Sequence, residues 1–163
     1  MGIWRRTGTL AVAGMLLCGS SLTVMAEEVE PAGYHVYDVQ EGEVTDTWYG
    51  IARGAYLRSG ISKLKEDASA GHVACSGHTV AQMNCDRVYV RIYLDQSDTA
   101  ASGTWGTIDY WTGEAFDTAL VSASSGVYKV DRNQYYRVTG IHSVTEGETT
   151  ETTMTCTDAL YVD

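Results

Sequence analysis

The chain has 163 residues and a formal net charge of −10 at pH 7, with 11 basic residues against 21 acidic ones. Nucleic acid and anionic membrane surfaces both require a basic patch, so this charge balance argues against either as a partner. The length suits one domain of ordinary size with a single core.

The first 26 residues have the pattern of a secretory signal peptide. Arg5 and Arg6 precede an uncharged, mainly apolar stretch, and small residues ending at Ala26 stand where a signal peptidase reads the chain. The apolar stretch is short and is interrupted by Gly, Ser and Thr, which is unfavourable for a membrane-spanning helix. We expect cleavage after Ala26, which would release an extracellular protein and lower the net charge from −10 to −12.

Residues 27–50 are predicted to form an acidic N-terminal leader. From residue 27 to residue 52 there are seven acidic residues, no Lys or Arg, and the only proline of the chain, Pro31. This composition is typical of a solvated segment, although the aromatic residues of its second half could let that half join the domain. We place the boundary near Ile51, so that the β domain covers residues 51–163.

After Ile51, runs rich in Val, Ile, Tyr and Thr alternate with Gly, Ser, Asn and Asp about every eight to twelve residues, as in a β-sandwich or barrel. The clearest strand is DRVYVRIYL, residues 86–94, in which apolar residues alternate with Tyr and Arg. Successive side chains point to opposite faces of a strand, so one face is predicted to lie in the core and the other in solvent. The predicted core residues are Val88, Val90, Ile92 and Leu94, and the predicted solvent-facing residues are Tyr89, Arg91 and Tyr93.

Two hairpins are also predicted. The runs GISKLK and GHVACSG flank EDASAG, and the segment SVTEGETT has Gly147 at its centre, as expected of a hairpin loop. The pattern contains no helix of useful length. The sequence therefore predicts an all-β fold, an antiparallel sandwich of about seven strands.

The segment YYRVTGIHSVTEGETTETTMTCTDAL, taken with VACSG, VYVRIYLDQ and GTWGTIDYW, resembles a family of small secreted proteins of unknown function from Gram-positive, mainly clostridial, bacteria. The resemblance covers residues 55–160, with one departure, because Asp95 stands between Leu94 and Gln96. It implies an Ig-like or fibronectin III-like sandwich, and it brings no catalytic residue. The other matching positions are Trp105, Trp111, Tyr136, Arg137 and Glu151.

The segment GHVACSGHTVAQMNC has the atoms, but not the expected geometry, of a metal site. Zinc is bound by four nitrogen or sulfur ligands, which His72, Cys75, His78 and Cys85 would supply. In a strand, however, His72 and Cys75 point to opposite faces, and thiols outside the cell tend to be oxidised. We therefore predict no metal site and no cofactor.

The three cysteines after the signal peptide allow three single disulfide bridges. Val73 shares a face with Cys75, and Met154 shares a face with Cys156, so both cysteines are expected to point inward from facing sheets. A Cys75–Cys156 bridge would close about eighty residues and contribute roughly 4 to 5 kcal/mol, against nearly 3 for Cys75–Cys85. Cys85 is expected to face outward or lie in a loop, and it remains the alternative partner of Cys75. Reduced cysteines and an intermolecular bond are further alternatives.

The aromatic residues are the main candidates for ligand binding. Eleven Tyr and four Trp against one Phe give most rings a polar group, which suits partly solvated positions. Trp105 and Trp111 share one face of a predicted strand, and with Tyr89 and Tyr93 on a neighbouring strand they could stack on sugar rings or on a protein. The alternative places both Trp side chains in the core and turns Ile108 and Tyr110 outward.

No catalytic residue is assigned. Acidic residues such as Glu114 and Asp117 lie in predicted loops, where they are usually solvated, and no Gly-x-Ser-x-Gly motif occurs. His142 is expected to be a hydrogen-bonded core residue. We therefore expect a secreted, non-enzymatic binding domain for an unknown extracellular protein or glycan. A carbohydrate-binding module using the four aromatic residues is the alternative, and a small secreted hydrolase or toxin is the least favoured hypothesis.

Overall fold

The computed structural model describes residues 27–51, 55–101 and 104–163, so the predicted signal peptide lies outside the described residues. Of the described residues, 78% are in β-strands. No helix occurs in these ranges, and hence none that is long and apolar enough to cross a membrane. The prediction of an all-β fold is confirmed.

Nine strands occur in the described ranges, and two of them are far longer than the others. Strands β5 and β6 have 26 and 24 residues, against 3 to 13 in the remaining strands. The strands are β1 Glu27–Val29, β2 Gly33–Gln40, β3 Glu43–Gly50, β4 Leu57–Glu66, β5 His72–Ser97, β6 Gly106–Lys129, β7 Gln134–Glu146, β8 Thr149–Cys156 and β9 Leu160–Val162.

All nine strands belong to one hydrogen-bonded sheet. Its order is β1-β8-β7-β5-β4-β3-β2, with β6 also paired to β5 and β9 also paired to β7. The β1–β8 pair is parallel and the other pairs are antiparallel, so the sheet is mixed. The structure thus differs from the predicted Ig-like or fibronectin III-like sandwich of about seven antiparallel strands. The difference arises because β5 and β6 each run without a break through what the pattern suggested were separate strands.

The sheet curls at the middle of β5 and β6. On one edge β5 pairs with β4 through residues 73–81 and with β7 through residues 87–97, while β6 lines its other edge. The β5–β6 ladder shifts register between Val80 and Cys85, and such a bulge bends a strand. At this bend a Cβ on Gly113 would collide with the carbonyl oxygen of Ser122, so a side chain larger than glycine has no room. The result is a half-barrel in which β3 and β4 face β7 and β8.

The core lies on the concave side of the curled sheet. Val88, Val90, Ile92 and Leu94 are fully buried there, as the alternating pattern of β5 predicted. Both predicted hairpins are confirmed: β4 leads into β5, and β7 leads into β8 through Gly147, which has a φ of 57°. The other main core residues include Val44, Trp48, Leu57, Leu64, Val73, Cys75, Tyr136, Val138, Val144 and Val162.

The predicted leader does not stay outside the domain. Strand β3 pairs with β4 over seven residue pairs, and its side chains of Val44 and Trp48 are buried in the core. The alternative, in which the second half of the leader joins the domain, therefore describes β3. Strand β2, in contrast, is exposed along its whole length.

The predicted disulfide is not present, because the described cysteines are free and none lies at disulfide distance from another. Cys75 points into the core, as expected, and burial raises the pKa of its thiol to about 12. Cys156 does share a face with Met154, but Met154 is 55% exposed, so this is the outer face of β8. Cys85 also departs from the prediction, since it is buried instead of facing outward.

Candidate functional site

A band of arginine and tyrosine side chains covers the outer face of β5 and β6. Buried residues alternate with these positions along β5, so the band points away from the core. The β5–β6 ladder then places Tyr93 directly opposite Tyr110. We call this surface the arginine–tyrosine face, and it consists of Arg87, Tyr89, Arg91, Tyr93 and Tyr110.

The side chains of the arginine–tyrosine face contact one another. The guanidinium carbon of Arg87 lies 5.0 Å from the ring centroid of Tyr89. That of Arg91 lies 5.8 Å from the ring of Tyr89 and 5.3 Å from the ring of Tyr110. The rings of Tyr93 and Tyr110 are 6.2 Å apart. These distances are in the range of cation–π contacts and aromatic pairs, so the side chains of this face support one another.

The two arginines of this face differ in charge compensation. Arg87 forms an ion pair with Glu114 across the ladder. Arg91 forms no ion pair with any residue that the structure describes, and its Nε is buried without a hydrogen-bond partner among them. A hydrogen bond with the Tyr93 side chain raises the pKa of Arg91, so its positive charge persists at any physiological pH. Arg91 thus supplies an uncompensated cation on an acidic protein.

The structure divides the four predicted platform residues between two faces. Tyr89 and Tyr93 lie on the arginine–tyrosine face, as predicted. Trp111 is opposite the buried Ile92 in the ladder, so it lies on the concave side of the sheet and packs against the core. Its ring meets that of Tyr128 edge-on, with the ring centroids 5.2 Å apart. The four predicted residues therefore do not form one binding surface.

Trp105 lies in a different place, beside Arg137 near the end of the sheet. The guanidinium carbon of Arg137 is 4.4 Å from the Trp105 ring, and Arg137 Nε donates to Asp95 at 3.3 Å. Trp105 lines an open cleft of about 310 Å³ together with Tyr37 and Cys156. The indole is half-buried and held by its own protein, so it presents only part of its surface.

Tyr110 belongs to the arginine–tyrosine face, although it was not among the four residues predicted to bind a ligand. It is 56% exposed, as the alternative with both Trp side chains turned inward required. The signal was its position next to Trp111, since neighbouring residues in a strand point to opposite faces. Choosing between the two faces needed the β5–β6 register, which the alternation alone does not provide.

A second set of polar residues is buried between the β3–β4 and β7–β8 layers. At its centre, the ring nitrogens of His142 are hydrogen-bonded to the Thr79 hydroxyl at 3.0 Å and to the Thr155 hydroxyl at 2.9 Å. Thr155 also bonds to Ser62 at 2.6 Å. Burial lowers the pKa of His142 to about 3, so the ring is neutral. The prediction of a hydrogen-bonded core histidine is confirmed. We call this set the polar seam, and it consists of Asp46, Ser62, Thr79, His142, Glu151 and Thr155.

The two carboxylates of the polar seam bind backbone groups. Glu151 accepts the N–H groups of Tyr56 at 2.8 Å and Leu57 at 2.6 Å. Asp46 accepts the N–H of Cys156 at 2.7 Å and is hydrogen-bonded to a ring nitrogen of His35 at 3.0 Å. The bonds of Glu151 to Tyr56 and Leu57, and of Asp46 to Cys156, join β8 to the β3–β4 side of the sheet, where no strand ladder connects them. The carboxylates therefore act as structural acceptors, and a substrate has no access to them.

The chain is an all-β protein built on one curled, mixed sheet, with the arginine–tyrosine face on its convex side. It belongs to DUF6147, a family of unknown function, whose model matches residues 22–160. This confirms the resemblance to a family of unknown function. No curated protein and no solved structure matches the chain. Within the described ranges, no group of three His, Cys, Asp or Glu side chains is arranged to hold a metal ion.

Proposed function

We propose that this chain is a secreted, non-enzymatic binding domain whose ligand is an extracellular protein or a glycan. The arginine–tyrosine face is the observation that carries the proposal. Tyr and Arg are the residue types most enriched, with Trp, at positions that dominate binding energy in protein interfaces. Here three Tyr and two Arg are held together on one open sheet face.

A non-enzymatic role is supported by the state of the polar residues. The buried histidine has hydrogen bonds at both ring nitrogens, and the buried carboxylates accept backbone N–H groups. A general base needs reach to a substrate proton, which none of these groups has.

Secretion is supported by the signal-peptide pattern of residues 1–26, and origin in a Gram-positive bacterium by the resemblance drawn from the sequence. The net charge supports a partner other than nucleic acid or an anionic membrane surface. We propose no cofactor.

Carbohydrate binding is the second candidate, and the position of Tyr110 favours it. The ring centroids of Tyr93 and Tyr110 lie 6.2 Å apart with the rings inclined at 44°. Arg91 contacts the rings of both Tyr110 and Tyr89. A sugar would then stack on these three rings, with Arg91 as a hydrogen-bond donor to hydroxyl or carboxylate oxygens. In this version Tyr110 takes the place that the sequence assigned to Trp111.

The proposal is tested with the immobilised chain, a glycan array and extracts of bacterial and host surfaces. The double variant Arg91→Ala/Tyr110→Ala should weaken binding by about tenfold or more, because Arg91 contacts the rings of Tyr89 and Tyr110 and Tyr110 pairs with Tyr93. Val127→Ala is the matched control, because Val127 is 62% exposed on the distant half of β6. Binding that survives in the double variant would remove the arginine–tyrosine face from consideration. Hits confined to glycans would select the second candidate.

A further inference from the structure

Strand β2 forms one free edge of the sheet. It pairs with β3 over all eight of its residues without a register shift, and no strand in the described ranges pairs with its other edge. All eight residues are exposed. Such an edge presents unpaired backbone N–H and C=O groups that another extended chain can meet.

The backbone groups that face outward follow from the hairpin geometry. The N–H of Ile51 donates to the carbonyl of Ala32 at 3.0 Å, so these residues form a hydrogen-bonded pair. Hydrogen-bonded pairs alternate along an antiparallel ladder, so every second residue from Ala32 bonds to β3. The residues between them direct their N–H and C=O groups to the free edge, and these are Gly33, His35, Tyr37 and Val39.

The other long free edge, on β6, is irregular. Its ladder with β5 shifts register at three places, and Asp117 and Gly126 have positive φ values of 52° and 62°. Bulges and local twists of this kind protect an edge against pairing with another chain. Strand β2 contains no bulge, no Lys and no Pro. Of these two edges, β2 is the one that is regular enough to receive a continuous added strand.

Each face of β2 carries exposed apolar side chains beside polar ones. Val36 lies on one face, and Tyr37 and Val39 lie on the other, with Val39 61% exposed. An added strand places its own side chains beside these on both faces. A segment that pairs with β2 therefore needs both apolar and polar residues.

The charge around β2 indicates the sign of the occupant. Asp38 and Glu41 are exposed on the hairpin, and residues 27–51 include no Lys or Arg. Glu43, at the base of the turn, is already paired with Lys63 and Lys65. A second copy of the chain would bring the same acids to the interface, whereas a basic segment would neutralise them.

We propose that β2 is a docking edge that receives an extended, lysine- or arginine-bearing segment of a partner protein as an added strand. Main-chain hydrogen bonds to Gly33, His35, Tyr37 and Val39 supply the affinity, and Asp38 and Glu41 select basic residues. This surface is separate from the arginine–tyrosine face, and the inference holds if that face proves inactive.

The test is a fluorescence anisotropy titration of the purified chain with a labelled peptide of about ten residues that alternates Val and Lys. A peptide that alternates Val and Glu should bind at least roughly tenfold more weakly, and added salt should weaken the Lys peptide. Val39→Pro removes an outward N–H, so it should weaken binding by about tenfold. Val39→Ala is the matched control, because it removes the same side chain and keeps the N–H.

Equal affinities of the Pro and Ala variants, or of the two peptides, would overturn the proposal. Circular dichroism checks that Val39→Pro is folded. If it is not, a Lys peptide that is N-methylated at alternate residues replaces it, and undiminished binding of that peptide to the unmodified chain overturns the proposal. A dimer in sedimentation that Val39→Pro dissociates would assign the edge to a second copy and overturn the basic occupant. Arg91→Ala should leave peptide affinity unchanged, which separates this result from the test of the other face.

Discussion

In the polar seam, His142 and Glu151 are buried and their polar atoms are bonded to other parts of the fold. On the arginine–tyrosine face, Arg91 lies among rings and has no ion-pair partner within the described chain. The two regions use similar polar chemistry on opposite sides of one sheet. Hydrogen-bonded polar groups therefore hold the layers together in the polar seam, whereas no described residue neutralises the charge of Arg91.

The largest expected effect on stability is at Glu151, which accepts two backbone N–H groups. Glu151→Ala leaves those N–H groups without an acceptor in a buried place, so the free energy of unfolding should fall by about 3 kcal/mol. Glu151→Gln keeps one side-chain carbonyl oxygen as an acceptor, so the free energy of unfolding should fall by less. Urea denaturation measures both, with Glu114→Ala on the outer face as the control. A loss at Glu114 as large as that at Glu151 would show that the polar seam stabilises the fold no more than the outer face does.

The next effect is steric and lies beside His142. A Cβ on Gly60 would stand 2.5 Å from Cγ of the buried imidazole, so Gly60→Ala should destabilise the fold by about 2 kcal/mol. Gly106 has nothing within 4 Å of the same position, which makes Gly106→Ala the matched control. Thermal unfolding compares the two variants. Equal melting temperatures would mean that the polar seam is loosely packed.

A pH-dependent effect on stability is expected from His142. Its pKa is lowered to about 3 by burial in the folded state, whereas an unfolded histidine titrates near its ordinary value of 6.5. Between these values the unfolded chain binds more protons, so stability decreases as pH falls through this window, by up to about 1.4 kcal/mol per pH unit. The difference between the unmodified chain and His142→Asn, measured by urea denaturation from pH 7 to pH 4, isolates this contribution. Parallel curves would contradict it.

The smallest effect on stability is expected at Arg91. Exposed cation–π contacts contribute about 0.5 to 1 kcal/mol each, and the two that Arg91 makes are long, so Arg91→Ala should lower the free energy of unfolding by about 1 kcal/mol. Its effect on ligand binding should be the larger one. A destabilisation as great as that of Glu151→Ala would mean that Arg91 is a structural residue, and the contrast between the two regions would disappear.

The sequence pattern predicts local features of this molecule well. The alternation in residues 86–94 identifies the buried and exposed faces of β5, and the place of His142 in the core follows from the same kind of pattern. Parity also correctly groups Cys156 with Met154, but it does not say which of the two faces is the core. That choice depends on pairing with a distant strand, which is why both the disulfide and the position of Trp111 differ from expectation.

The curl of the sheet cannot be predicted from a local sequence pattern either, because it depends on contacts between distant residues. The bend at Val80–Cys85 depends on the bulge in the β5–β6 ladder, and the contact of Asp46 with Cys156 joins residues that are 110 positions apart. The arginine–tyrosine face could be predicted for its β5 residues, whereas Tyr110 joins it only through the register with β6.

The pairing of β1 with β8 has a consequence for the order in which the fold forms and opens. Strands β2 to β6 pair with their neighbours in sequence and can form as successive hairpins, but β1 must wait until the β7–β8 hairpin is complete. Its three-residue ladder is short and parallel, with little to retain it. The amides of β1 should therefore exchange with solvent through local opening, well before those of residues 88–94 in β5, which have a paired strand on each side.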